Sequence, residues 1–184
     1  VASGVFAWEN TQTDGIWTYD LDDAWQGVGE CVRDLRQHAE DVGAHLTDCA
    51  AVGISGMMHG YLALDQNDQL LVSFRTWRNN ITAAASAELT KRFGYPIPQR
   101  WSIAHLYQAM LNGEEHLSRV AKITTLAGYI HYRLTGRFAL GMNEASGVFP
   151  IDVDAHDFDQ TMIEQFDTMI ADKGFSWQIR DLLP

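Results

Sequence analysis

Between residues 50 and 72 the chain holds three apolar runs, each too short for a helix and each bounded by glycine or polar turn residues. The first, Ala50-Ala51-Val52-Gly53-Ile54-Ser55, reads as a strand covered on both faces. The second, Tyr61-Leu62-Ala63-Leu64, and the third, Leu70-Leu71-Val72, flank the polar stretch Asp65-Gln66-Asn67-Asp68 and read as a hairpin. Closely spaced strands set among helical patterns limit the fold to α/β or α+β.

The helical patterns lie on either side. After the acidic Asp20, Asp22 and Asp23, suited to a helix N-terminus, apolar residues recur at Trp25, Val28, Val32, Leu35, Ala39 and Val42. That spacing predicts one buried stripe, stopped at Gly43. Residues 1–9 read as a strand leading into the turn-rich residues 10–15. A helix is expected from about Thr82 to Arg92, closed by Gly94. Beyond Pro96 and Pro98, Ser102 reads as the N-cap of a helix ended by Gly113. Another helix spans residues 126–134 and stops at Thr135-Gly136, and residues 142–154 read as irregular or extended. Asp157 or Asp159 then caps a helix containing Met162, Ile163, Phe166, Met169 and Ile170, stopped by Gly174.

With 184 residues, 46% hydrophobic and 20% charged, the chain has the balance of an ordinary globular protein. Its formal net charge of −11 argues against nucleic acid and anionic membrane surfaces, both of which are held by Lys and Arg. No apolar run approaches the ~18–20 residues of a membrane helix. Cys31 and Cys49 show no metal-ligand spacing and read as two free, buried thiols in a reducing compartment, with a single bridge as the alternative. The cytoplasm is the expected location.

Generic catalytic signatures fail. Gly53-Ile54-Ser55-Gly56-Met57 lacks the last glycine of a nucleophile elbow, and the chain contains neither a P-loop nor HExxH. Asp152, Asp154, Asp157 and Asp159 lack the spacing of a calcium loop and read as a cap plus solvated charge. Two segments carry more. Gly56-Met57-Met58-His59-Gly60 follows a predicted strand, where loops of α/β folds meet ligands. Taken alone, His59 is more often structural and the two Met residues core filling. In Phe74-Arg75-Thr76-Trp77-Arg78-Asn79-Asn80, an exposed indole could stack on a polyol while Arg78 and Asn79 bond hydroxyls. A lone Trp is more often core, and Arg78 alone a surface charge.

The order Gly-Ile-Ser-Gly-x-Met-His-Gly, a hairpin with Leu-Asp before its turn, and a strand ending in Trp-x-Asn resembles the amino-terminal domain of FGGY carbohydrate kinases, especially the xylulokinase-like branch. Later stretches follow in that family's order: Ile103-Ala104-His105-Leu106, residues 122–136 ending in Leu-Thr-Gly, and Asn143-Glu144-Ala145-Ser146-Gly147 with Ile151-Asp152. The likeness covers essentially the whole chain.

The resemblance implies an α/β, ribonuclease-H-like (actin-like ATPase) domain, incomplete at its N-terminus. Residues 1–184 would be the amino-terminal, sugar-binding domain of a two-domain sugar kinase. The implied reaction moves the ATP γ-phosphoryl to a sugar hydroxyl, ATP and Mg²⁺ being bound mainly by parts outside this chain. Met58, His59, Trp77, Arg78 and Asn79 would lie at the sugar. The family's glycine-rich hairpin is expected before Val1 and its general-base Asp beyond Pro184, so this segment would hold no catalytic residue or metal ligand and would be inactive alone. The family's Trp-x-Asp-x-Arg is here Trp77-Arg78-Asn79-Asn80-Ile81, which replaces an acceptor-only carboxylate by an amide and the arginine by Ile81. A ketopentose is the favoured sugar, and a homodimer is left open. The alternative is a non-catalytic sugar-binding or regulatory protein that retains one kinase lobe.

Overall fold

Five buried residues, Gly60–Leu64, form the strand (β3) on which the molecule is assembled. The structure is a computed structural model that describes residues 2–184. Alternation along β3 sends Tyr61 and Ala63 into the larger apolar core, and Leu62 and Leu64 into a smaller one. Both edges of β3 are taken by antiparallel neighbours. Arg75–Thr76 (β4) pairs through Gly60↔Thr76 and Tyr61↔Arg75, and Lys122–Thr124 (β5) through Leu62↔Thr124, Ala63↔Ile123 and Leu64↔Lys122.

Before this sheet come the hairpin strands Thr11–Thr13 (β1) and Ile16–Thr18 (β2) and the long helix Leu21–Asp41 (α1). Asp14-Gly15 turns the hairpin, both residues having positive φ (50° and 81°). Asp20 caps α1, its carboxylate accepting from the amides of Asp22 and Asp23. The face α1 buries is rotated from the expected stripe. Leu21, Ala24, Gly27 and Ala39 are inside, whereas Val32 is 51% exposed and Val42 is also on the surface. Residues 2–10 explain the difference, because they form no strand and run instead along α1. Val5 donates to Asp34, His38 bonds the Ser3 carbonyl, and the Phe6 ring lies where a side chain at residue 27 would point. Val1 lies outside the described residues.

The expected strand at residues 50–55 is absent as well. With both edges of β3 occupied it has no ladder to join, so the segment runs beside Ala127, Gly128 and His131 with Val52 71% exposed. The hairpin partner predicted at residues 70–72 reduces to a bridge, Leu64↔Leu70, and one bond from the Leu71 amide to Ala63. The Asp65 carboxylate holds its turn by accepting from the Asn67 and Gln69 amides.

Ala83–Phe93 (α2), Ser102–Asn112 (α3) and Leu126–Thr135 (α4) end on left-handed Gly94, Gly113 and Gly136, as the sequence led us to expect. Ser102 is not the N-cap of α3. Trp101 holds that position, and the Ser102 hydroxyl donates instead to the Gly60 carbonyl at 2.5 Å. Residues 142–154 contain the short helix Met142–Ala145 (α5), and strand Ile151–Asp152 (β6) pairs with Asp157–Phe158 (β7). Asp159, not Asp157, caps Gln160–Ile170 (α6), and Ile179–Leu182 (α7) closes the larger core. Cys31 and Cys49 are free, but Cys31 is half-buried and Cys49 exposed, so neither is the buried thiol expected.

Phe149 is fully enclosed between Phe93 and Phe158, so Phe149→Ala should cost about 3–5 kcal/mol of stability. Val32→Ala should change stability by less than ~0.5 kcal/mol, because the structure leaves that side chain in water. Denaturant unfolding of both variants checks the pair. A large loss at Val32 would restore the stripe read from spacing.

Candidate functional site

Gly60 fixes the geometry of the site. At φ 121° its amide donates to the Arg100 carbonyl at 2.9 Å, and its carbonyl accepts from the Ser102 hydroxyl. A Cβ at this position would meet the Arg75 carbonyl at 2.6 Å and the Phe74 ring at 3.1 Å. The start of β3 is thereby tied to the lead-in of α3, while Gly60↔Thr76 pairing ties it to the end of β4. His59 precedes one strand and Trp77 follows the other, so the two leave the sheet at the same end. Gly147 adds a third tether: its Cα lies so close to the Met58 carbonyl that no side chain would fit, and its own carbonyl accepts from the Ser102 amide.

These tethers shape a hollow of about 320 Å³ lined by Gly56, Met57, Met58, His59, Trp77 and Arg100. The methionines are half-buried and give it an apolar floor, and the indole of Trp77, 51% exposed, stands as a wall. Burial, and then the Arg100 guanidinium, lower the proton affinity of His59 below its ordinary value. At neutral pH the imidazole is therefore neutral, with one nitrogen to donate and one to accept. Neither His59 nor Arg100 makes a side-chain hydrogen bond or ion pair among the described residues. Their polar atoms are free for a ligand.

The hollow thus unites Met58, His59 and Trp77 but leaves out Arg78 and Asn79. The Arg78 guanidinium lies over the Trp17 ring, 4.4 Å from its centroid. Asn79 is only 3% exposed and is fully engaged: its Oδ1 accepts from the Trp17 amide at 2.9 Å, and its Nδ2 donates to the carbonyls of Trp17 (2.8 Å) and Thr76 (3.0 Å). An aspartate could not donate either of those last two bonds, which accounts for an amide at this position. Arg100 went unnoticed in the sequence because it sits in the break before α3, where no local pattern marks it.

A largely buried polar cluster joins β3, β4 and the segment after α3. The Arg75 guanidinium pairs closely with Glu114, whose carboxylate also lies 3.4 Å from His116 Nδ1. His116 Nε2 and the Tyr61 hydroxyl bond at 2.9 Å. Burial works to raise the Glu114 carboxyl, but the guanidinium outweighs it and holds the group below its usual value. Burial pushes His105, stacked near Tyr61, down to about 3. Arg75, Tyr61, His105 and His116 are buried, while Glu114 is half-buried.

A larger cavity of about 490 Å³ opens between the β1–β2 hairpin and α4. Its Asp68 and Arg133 are already committed. Asp68 holds Lys122 at 2.7 Å and Tyr132 at 2.9 Å, and Arg133 donates to the Tyr129 hydroxyl at 2.5 Å and lies over Trp25. The smaller hollow, with its polar atoms unengaged, is the better candidate site.

Residues 7–172 match the FGGY family of carbohydrate kinases, N-terminal domain. A xylulose kinase of Escherichia coli (strain K12) is 26% identical over 161 residues, which cover 83% of this chain and 32% of that protein. A xylulose kinase of Lactococcus lactis is 23% identical over 163 residues, 84% of this chain and 30% of that one. Among solved structures, a xyloylose kinase from Brucella ovis superposes with TM-score 0.75 at 19% identity, covering 99% of this chain and 36% of its own. A xylulose kinase from Rhodospirillum rubrum does so with TM-score 0.73 at 18% identity, covering 96% and 36%. The fold is therefore the mixed α/β, ribonuclease-H-like fold of the actin-like sugar kinases. The chain spans about a third of the length of the curated relatives it matches.

The state of His59 is open to direct measurement. Its imidazole should titrate below the ordinary value of about 6.5, by NMR of the ring protons. Arg100→Gln should bring the midpoint only part of the way back, since burial is the larger cause. Because the unfolded chain holds this proton more tightly, the group costs nothing above pH ~6.5 and subtracts stability as the pH falls from there toward the folded midpoint. A midpoint at or above 6.5 would show that the ring is solvated or faces a carboxylate.

Proposed function

The chain belongs to the FGGY family of carbohydrate kinases, and from that premise we propose that residues 1–184 are the sugar-binding domain of an ATP-dependent sugar kinase. The observation that carries this reading is the meeting of His59 and Trp77 at one hollow whose polar atoms have no other partner. Trp77 offers a flat apolar surface to the C–H face of a monosaccharide. Neutral His59 holds a hydroxyl as donor or acceptor, and Met57 and Met58 keep water from beneath the sugar. Binding and orientation of the acceptor are the chemistry that these side chains can perform.

ATP and a divalent metal ion belong to the activity of the family. The hollow is a poor fit for Mg²⁺, which takes oxygen ligands, since its lining offers no carboxylate. We assign the nucleotide, the metal and the general base to the remainder of the full-length protein, and the segment alone to sugar binding without turnover. Xylulose is the sugar named for the curated relatives, which makes a ketopentose the first neutral candidate. We assign the reaction to the cytoplasm. No helix among the described residues is long and apolar enough to cross a membrane.

In the full-length protein, His59→Ala and Trp77→Ala should each raise the sugar KM or lower kcat by about tenfold or more. ADP release in a coupled assay over pentoses, hexoses and polyols reads both constants. Wild-type kinetics in both variants would remove the hollow from the reaction. Sugar binding with no ADP formed under any condition would favour the non-catalytic reading.

A further inference from the structure

Charge in the hollow runs against charge in the chain. The protein carries 24 acidic and 13 basic residues, yet no carboxylate lines this hollow among the described residues, and its one ionised side chain is Arg100. Burial and the nearby guanidinium keep His59 uncharged, so the hollow presents a single positive charge at neutral pH. The root of Arg100 is fixed, because its carbonyl accepts the Gly60 amide at 2.9 Å directly beside His59. Its guanidinium has no carboxylate partner among the described residues.

This composition bears on what the hollow can hold. A neutral sugar presents several hydroxyls that need acceptors, and the side chains here supply one imidazole nitrogen and two weakly accepting thioethers. A guanidinium accepts nothing, and its paired N–H groups match a carboxylate in a two-bond fork that a hydroxyl cannot reproduce. The match is therefore with a ligand that brings its own negative charge.

We infer that the hollow selects a monosaccharide ending in a carboxylate, an aldonate or ketoaldonate, with the acid group on Arg100, a C–H face on Trp77 and a hydroxyl at His59. The inference rests on the hollow being the sugar site and replaces the neutral ketopentose by an acidic sugar of similar length. Arg100 is then the specificity-determining residue, and it lies outside the set that the sequence pointed to.

The test uses the full-length protein, with titration calorimetry and the ADP-release assay run on the same ligands: D-xylonate and D-gluconate, D-xylulose and xylitol, and D-xylulose 5-phosphate. Wild type should bind an aldonate at least tenfold more tightly than the neutral sugar of equal length. The ratio of aldonate to neutral affinity should fall at least tenfold in Arg100→Gln and be partly kept in Arg100→Lys, both checked for native circular dichroism and thermal unfolding. Equal or tighter binding of D-xylulose, or a ratio indifferent to Arg100→Gln, overturns the inference and leaves the kinase reading intact. Tighter binding of D-xylulose 5-phosphate than of either aldonate overturns the carboxylate assignment. Arg100-dependent aldonate binding with no ADP formed supports the inference and removes the kinase reading instead.

Discussion

The two backbone bonds of Gly60 set the position of everything else at the site. One reaches the carbonyl of Arg100 and the other the hydroxyl of Ser102, so the start of β3 and the lead-in of α3 meet at a residue without a side chain. Each such buried bond contributes only about 0.5–1.5 kcal/mol net, but leaving its partner unsatisfied costs about 1–3 kcal/mol. That asymmetry makes the arrangement hard to shift by small steps. The part-buried Arg75–Glu114 pair reinforces it by joining β4 to the segment that follows α3.

A rigid frame with idle polar groups at its mouth is what separates the hollow from the rest of the surface. In the larger cavity near α4, Asp68 is paired with Lys122 and Arg133 is bonded to the Tyr129 hydroxyl. In the hollow, the imidazole of His59 and the guanidinium of Arg100 are held close enough to influence each other, and neither serves the fold.

Local chemistry was legible in the sequence, and partnership was not. Gly94, Gly113 and Gly136 end their helices, and Asp20 begins α1, because these roles depend on residues a turn away. The apolar run at residues 50–55 has the composition of a strand, but a strand exists only through a neighbour, and both edges of β3 are filled. Val32 fits the period of a buried stripe, yet Phe6 from a distant segment lies on the Gly27 side and rotates the buried face. At the site, ordered motifs brought His59 and Trp77 forward together. Asn79 was legible as polar but not as a substitute for a strand partner of Trp17, and Arg100 became visible only when its carbonyl met Gly60.

The claim at the centre of this account is that the hollow between the two strand ends receives the sugar. A crystal structure of the full-length protein soaked with a monosaccharide that it binds decides the matter most directly. The account predicts density stacked on the indole of Trp77 and within hydrogen-bond distance of the His59 ring, with Asn79 still bonded to Trp17. Ordered sugar in the cavity beside Arg133, with the hollow holding only solvent, would contradict it.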